Sequence, residues 1–357
     1  MSHLRITAAA GVLLVLSVAG CMGGPASPAP TSAGPTSPDP TATTPKAPPL
    51  PPEPRILFEW YGTNAQGKSI LVTNADATAS AVQIVPAVTA AEPVHAQWSR
   101  DGSQFTWEVL GRDGTASVWI ANADGTQPVM VAQCEEDPCA QVAYPSFSPD
   151  GSQLLVTRYD SADVGWGPSH LVVVDLVTGT QTIIASTPDG LTSFRGGSWS
   201  PDGTTIAAWH ETFPTVEQEE FSGNDIVIVD ADPNTPEELN PITDPALFAG
   251  YPRWHPTEDR ILFSSWDLHN FQGDEPSQLY TVSSTGKELT QVTRAKPGEQ
   301  RPGEASWTPD GKQIIASLGI VDATQVVDVK IGWVDPVNGE ITATTQSGAM
   351  PSLQTSP

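Results

Sequence analysis

One short pattern returns five times at nearly constant spacing: an aromatic residue, then a polar turn built around Pro-Asp-Gly. The copies are Gln97-Trp98-Ser99-Arg100-Asp101-Gly102, Ser146-Phe147-Ser148-Pro149-Asp150-Gly151, Ser198-Trp199-Ser200-Pro201-Asp202-Gly203, Arg253-Trp254-His255-Pro256-Thr257-Glu258 and Ser306-Trp307-Thr308-Pro309-Asp310-Gly311. The anchors Trp98, Phe147, Trp199, Trp254 and Trp307 are 49, 52, 55 and 53 residues apart. A period near 50 points to a solenoid, propeller or array and not to unrelated domains. Composition agrees: 35 prolines in 357 residues and only 16% charged residues exclude coiled coils and helical bundles.

Each repeat reads as four short strands. The anchor ends the first, and Asp and Gly supply the turn. An apolar second strand follows, such as Gln313-Ile314-Ile315-Ala316-Ser317-Leu318. Third strands read as Ser117-Val118-Trp119-Ile120-Ala121 or His170-Leu171-Val172-Val173-Val174, and fourth strands as Gln181-Thr182-Ile183-Ile184. That gradient suits the inner-to-outer order of a propeller blade. The segment opening at Arg55-Ile56-Leu57-Phe58 lacks a first strand, while Met350-Pro351-Ser352-Leu353-Gln354 reads as a first strand that stops. The expectation is an all-β, six-bladed β-propeller of four-stranded blades over 55–357, closed by pairing of its N- and C-terminal strands. Closure removes the edges that an open array exposes. The recurrent anchors read as core packing.

These repeats resemble the TolB-like β-propeller repeat, related in architecture to WD-repeat propellers. Val118-Trp119-Ile120-Ala121-Asn122-Ala123-Asp124-Gly125 matches the family's third strand and turn closely. His255-Pro256-Thr257-Glu258 departs from the turn, and Leu353 replaces the last aromatic anchor. The resemblance implies a binding platform outside the cytoplasm, and no partner-binding residue of the family maps onto this chain.

The N-terminus carries an address. Arg5 precedes an apolar run of 13 residues, Ile6 to Val18, too short to span a bilayer, which takes about 20. Val18-Ala19-Gly20-Cys21 resembles the lipobox of bacterial lipoproteins. That implies cleavage after residue 20 and a diacylglycerol on Cys21, with acyl chains such as palmitate holding the chain to the membrane. Residues 21–54 read as a disordered tether, since 12 of the 33 residues after Cys21 are Pro. As polyproline II it reaches roughly 100 Å. Export exposes Cys134 and Cys139 to oxidation, and a disulfide is the expectation, worth roughly 2 kcal/mol. The rival is a thiolate metal site with Glu135, Glu136 and Asp137, short of the four ligands that zinc prefers.

With 41 acids against 16 bases, the formal charge is -25. That argues against nucleic acid and against a polybasic membrane patch. No cofactor motif is present, no Gly-x-Ser-x-Gly elbow occurs, and a monomer is expected. The longest loops fall between second and third strands. Candidate partner residues cluster at those strand ends: Trp60, Tyr61, Glu108, Tyr159, Asp160, His210, Glu211, Trp266, Asp267 and His269. Aromatic faces beside carboxylates suit an envelope protein, a peptide or a glycan. His210, Glu211, Asp267 and His269 also contain metal-ligand chemistry, and 217–225 is acidic without a calcium-loop spacing. The function expected is a non-catalytic, lipid-anchored platform. The alternative is a secreted propeller lyase or hydrolase acting on a polysaccharide or peptide.

Overall fold

The computed structural model describes residues 49–61, 67–86, 91–161, 167–213, 222–235, 237–265, 276–296, 299–322 and 325–355. Cys21, Trp266, Asp267 and His269 lie outside these residues, as does the side chain of Tyr61.

Strands β1 (Arg55–Tyr61), β2 (Lys68–Asn74) and β3 (Val82–Val85) come first. Then follow β4 (Ala91–Trp98), β5 (Gln104–Gly111), β6 (Ala116–Asn122) and β7 (Val129–Ala132). Next are β8 (Gln141–Phe147), β9 (Gln153–Tyr159), β10 (Ser169–Asp175) and β11 (Gln181–Thr187). The fourth run is β12 (Thr192–Trp199), β13 (Thr205–Thr212), β14 (Gly223–Asp230) and β15 (Asn240–Pro241). The fifth is β16 (Ala249–Trp254), β17 (Ile261–Ser265), β18 (Gln278–Val282) and β19 (Thr290–Gln291). The chain ends with β20 (Arg301–Trp307), β21 (Ile314–Asp322), β22 (Gln325–Val334), β23 (Ile341–Ser347) and β24 (Ala349–Leu353).

The fold is an all-β propeller. β24 pairs antiparallel with β1, Ile56 opposite Leu353, so the two ends share one sheet with β2 and β3. The expectation of six separate four-stranded blades is corrected. Four sheets stand as four-stranded units, and the other eight strands form a single sheet. The join is one parallel pairing, Ala116 with Gln141, between β6 and β8. Its cause is local. The Gln141 side chain donates to the Gly114 carbonyl (2.5 Å), which draws the start of β8 against the β5–β6 turn.

Packing runs between the strand runs. Trp199 and Ile206 pack with Leu155 and Leu171 of the preceding run. Trp98 and Phe105 pack with Leu57 and Ile70, and Trp307 and Ile314 with Leu262 and Leu279. The indoles also bond backward: Trp199 Nε1 donates to Ser146 O (3.1 Å) and Trp98 Nε1 to Ser352 O (3.2 Å). Trp98, Phe147, Trp199 and Trp307 thus bury their rings, Trp254 is half-buried, and Trp98 and Trp199 also satisfy their N–H.

The turns repeat one device. Ser99, Ser148, Ser200 and Thr308 donate to Asp101, Asp150, Asp202 and Asp310 at 2.6–2.7 Å. Each aspartate also accepts the backbone N–H two residues on. These bonds hold all four carboxyls below the usual aspartate range. The departing turn solves the same problem with an imidazole. His255 Nδ1 accepts from the Thr257 and Glu258 amides (3.2 and 3.0 Å), which leaves Nε2–H to donate to Gly311 O (3.1 Å).

Cys134 and Cys139 form a disulfide with Cα atoms 5.4 Å apart. The thiolate metal alternative is therefore closed.

Candidate functional site

The innermost strands β4, β8, β12, β16, β20 and β24 line a central channel. Each carries a register shift against its neighbour, as at Val94/Gln97, Ala143/Ser146 and Gly250/Arg253. The residue three before each anchor sits at the shift: His95, Tyr144, Gly196, Tyr251, Glu304 and Met350. Five of these have positive φ. Such bulges turn a strand and re-aim its side chains. At Gly196 (φ +94) the left-handed backbone needs glycine, and an added Cβ meets the Tyr144 side chain at 2.6 Å.

A bulge leaves backbone groups outside the ladder, and the adjoining run supplies partners. Glu59 accepts from the His95 amide (2.5 Å) and Glu108 from the Tyr144 amide (3.1 Å). Ser317 accepts from Met350 N–H, and Ser264 donates to Gly303 O. Tyr159, fully buried, donates its hydroxyl to Phe194 O (2.6 Å). These bonds pin neighbouring runs around the channel.

The ionic groups there are mostly paired. His95 Nδ1 lies 2.7 Å from Glu108 Oε2. Burial opposes the His95 charge, but Glu108 outweighs it and raises the pKa. Burial pushes Glu59 up to about 7, against the pull of His95. Arg195 Nε donates to Glu211 Oε2 (2.8 Å), with Glu211 wholly buried. Burial holds Glu211 above the usual range despite Arg195. The Tyr144 hydroxyl faces Arg195, and burial raises its pKa to about 12. At the Pro-turn mouth, Arg100 stands where three other turns have Pro and the His255 turn has Pro256. It reaches across the opening to Pro201 O (3.2 Å) and Pro256 O (2.7 Å).

The expected partner residues are therefore placed differently from one another. Glu108, Tyr159 and Glu211 are buried in the channel wall. Trp60 is half-buried against the Ile56–Phe58 cluster. His210 Nδ1 bonds Asp225 (2.8 Å) and its Nε2 is buried without a partner among the described residues. Asp160 bonds His170 Nε2 (3.1 Å), whose Nδ1 lies 2.9 Å from Ser186 Oγ. No group of three or more metal-ligating side chains occurs among the described residues. The bulge residues His95, Tyr144, Tyr251 and Glu304, with Arg195 and Arg253, were missed by sequence reasoning. Their signal was the fixed offset of three before the anchor, shared by four of them.

No protein-family model matches the chain, and no curated protein matches it. Solved structures do. TolB from Acinetobacter baumannii superposes with a TM-score of 0.60 at 13% identity, over 84% of this chain and 66% of that one. A protein assigned as TolB from Agrobacterium tumefaciens gives 0.57 at 16% identity, over 83% and 90%. The fold is a TolB-like β-propeller. An oligogalacturonate lyase in complex with manganese also matches, with a TM-score of 0.50 at 16% identity over 80% and 72%. Likeness at these identities carries the fold and not an activity.

Proposed function

We propose that this TolB-like propeller is a lipid-anchored, non-catalytic platform outside the cytoplasm, binding a protein, peptide or glycan of the cell envelope on its long-loop face. The observation that supports it most is the employment of three channel carboxylates. Glu59 and Glu108 accept backbone amides of the next run, and Glu211 neutralises Arg195. A general acid or base needs a free edge toward a substrate, whereas these groups hold strands together. The long-loop face offers apolar surface: Leu191, in the β11–β12 connection, is 39% exposed. The lipobox at Val18-Ala19-Gly20-Cys21 supplies the anchor, and the proline-rich 21–54 segment the spacing.

Cys21→Ser is expected to move the chain from the membrane fraction into the soluble exported fraction. Retention of that variant on the membrane counts against the anchor. The immobilised full chain should capture one envelope component stoichiometrically, and Leu191→Asp should lose it. Capture that Leu191→Asp leaves intact removes the long-loop face from the reading.

The Asp160–His170–Ser186 relay favours a hydrolase as the second reading, since it orders a hydroxyl, an imidazole and a carboxylate. Its weakness is electrostatic. The Ser186 amide, an oxyanion donor in such sites, is taken by the Glu237 carboxylate at 2.6 Å. Ser186→Ala should therefore leave any ester or peptide turnover of the preparation unchanged. A loss of turnover by a hundredfold or more, on the order expected for a nucleophile, would establish the second reading.

A further inference from the structure

The residue just before each anchor is Gln97, Ser146, Ser198, Ser306 or Ser352, with one exception, Arg253. The exception puts a guanidinium into a ring of small or neutral groups around the channel cavity, whose volume is about 100 Å³. Arg195 shares this cavity, but Glu211 already pairs with it. Arg253 has no ion pair among the described residues. Its Nη1 donates to the neighbouring carbonyl of Pro252 (3.0 Å), and burial pushes its pKa down to about 10. An unpaired, half-buried guanidinium gains when an anion meets its planar fork.

Glu304 lines the same cavity and makes no ion pair or hydrogen bond among the described residues. The two opposite charges are carried by different strands, β16 and β20, and do not reach each other. Tyr144 and Tyr251 lie beside them as neutral rings, both phenols held up by burial. The cavity is of a size for a few waters or a molecule of a few heavy atoms. A phosphate dianion is disfavoured by Glu304. At the Pro-turn mouth, Arg100 spans the opening to Pro201 and Pro256, which hinders a chain end from that side.

We propose that the channel binds a small zwitterion of the α-amino-acid class, its carboxylate on Arg253 and its ammonium on Glu304. Both ligand charges then gain charge-assisted hydrogen bonds. The bound groups restore to Arg253 and Glu304 the partners that the fold withholds. This site is separate from the long-loop face, and neither reading depends on the other.

Calorimetric titration of the full chain with glycine, acetate and methylamine tests it. Wild type should bind glycine more tightly than either half-ligand. Arg253→Gln should weaken glycine and acetate by about tenfold or more, and Glu304→Gln should weaken glycine and methylamine while leaving acetate bound. Arg253→Lys should retain a measurable part of the glycine affinity. Unfolding midpoints establish that each variant is native. If Arg253→Gln does not fold, the partly exposed Glu304→Gln still separates the half-ligands. Absence of glycine binding to wild type, or equal glycine binding by wild type and Glu304→Gln, overturns the proposal.

Discussion

Replacing Trp199 with alanine is expected to lower the unfolding free energy by about 3–5 kcal/mol, as for other buried large-to-small changes. The ring is 6% exposed and packs against Leu155, Leu171 and Ile206 across the boundary between two runs. Its N–H also donates to Ser146 O, so truncation leaves that carbonyl without its partner. Both losses fall at one boundary between runs. Val337→Ala is the control: Val337 is 92% exposed, and its loss should stay within about 0.5 kcal/mol. Denaturant midpoints of the two variants decide. A Trp199→Ala chain as stable as wild type would make the anchors something other than packing.

The second large effect is on pH. Glu59 titrates at about 7 in the folded chain, against 4.5 for a free glutamate, because burial disfavours its charge. A raised carboxyl pKa means the folded state binds the proton more tightly. Its contribution is fully present below about pH 4.5 and is lost as pH rises through about 7. The loss across that window is about 3 kcal/mol. His95, raised by Glu108 against burial, acts in the same direction, because protonation stabilises the fold and is lost on alkalinisation. The turn aspartates act oppositely, with depressed pKa values whose contribution disappears only on strong acidification. Urea unfolding at about pH 5 and about pH 8 should show the more stable protein at the lower pH. Glu59→Gln, whose amide oxygen still accepts from the His95 amide, should remove most of the difference. A wild-type stability that rises from pH 5 to pH 8 contradicts the placement of Glu59.

These two effects differ in how far the sequence announced them. The anchor role of Trp199 was legible because a strand end, a tight turn and a buried ring recur at a steady spacing. The disulfide was legible because its cysteines are five residues apart. The departing turn was visible as a departure, and His255 turns out to replace both the hydroxyl and the aspartate of its counterparts. The channel chemistry was not legible. Simple alternation misassigns the face of residues beyond a bulge, so His95, Tyr144 and Tyr251 were invisible as wall residues. The strand-end residues Tyr159 and Glu211 were read as surface groups. Inner propeller strands are covered on both faces, and these side chains point into packing and not toward solvent. The joining of two runs into one sheet rests on Gln141 reaching Gly114, a tertiary contact with no local signature.

The central claim is that the channel carboxylates Glu59, Glu108 and Glu211 serve the architecture while the long-loop face serves the partner. Hydrogen exchange of the full chain, alone and with the captured envelope component, tests it most directly. The account predicts new protection at 188–191 and 111–116, with the Pro-Asp-Gly turns at 149–151 and 201–203 unchanged. Protection confined to those turns, or to the bulges at His95 and Tyr144, would contradict it.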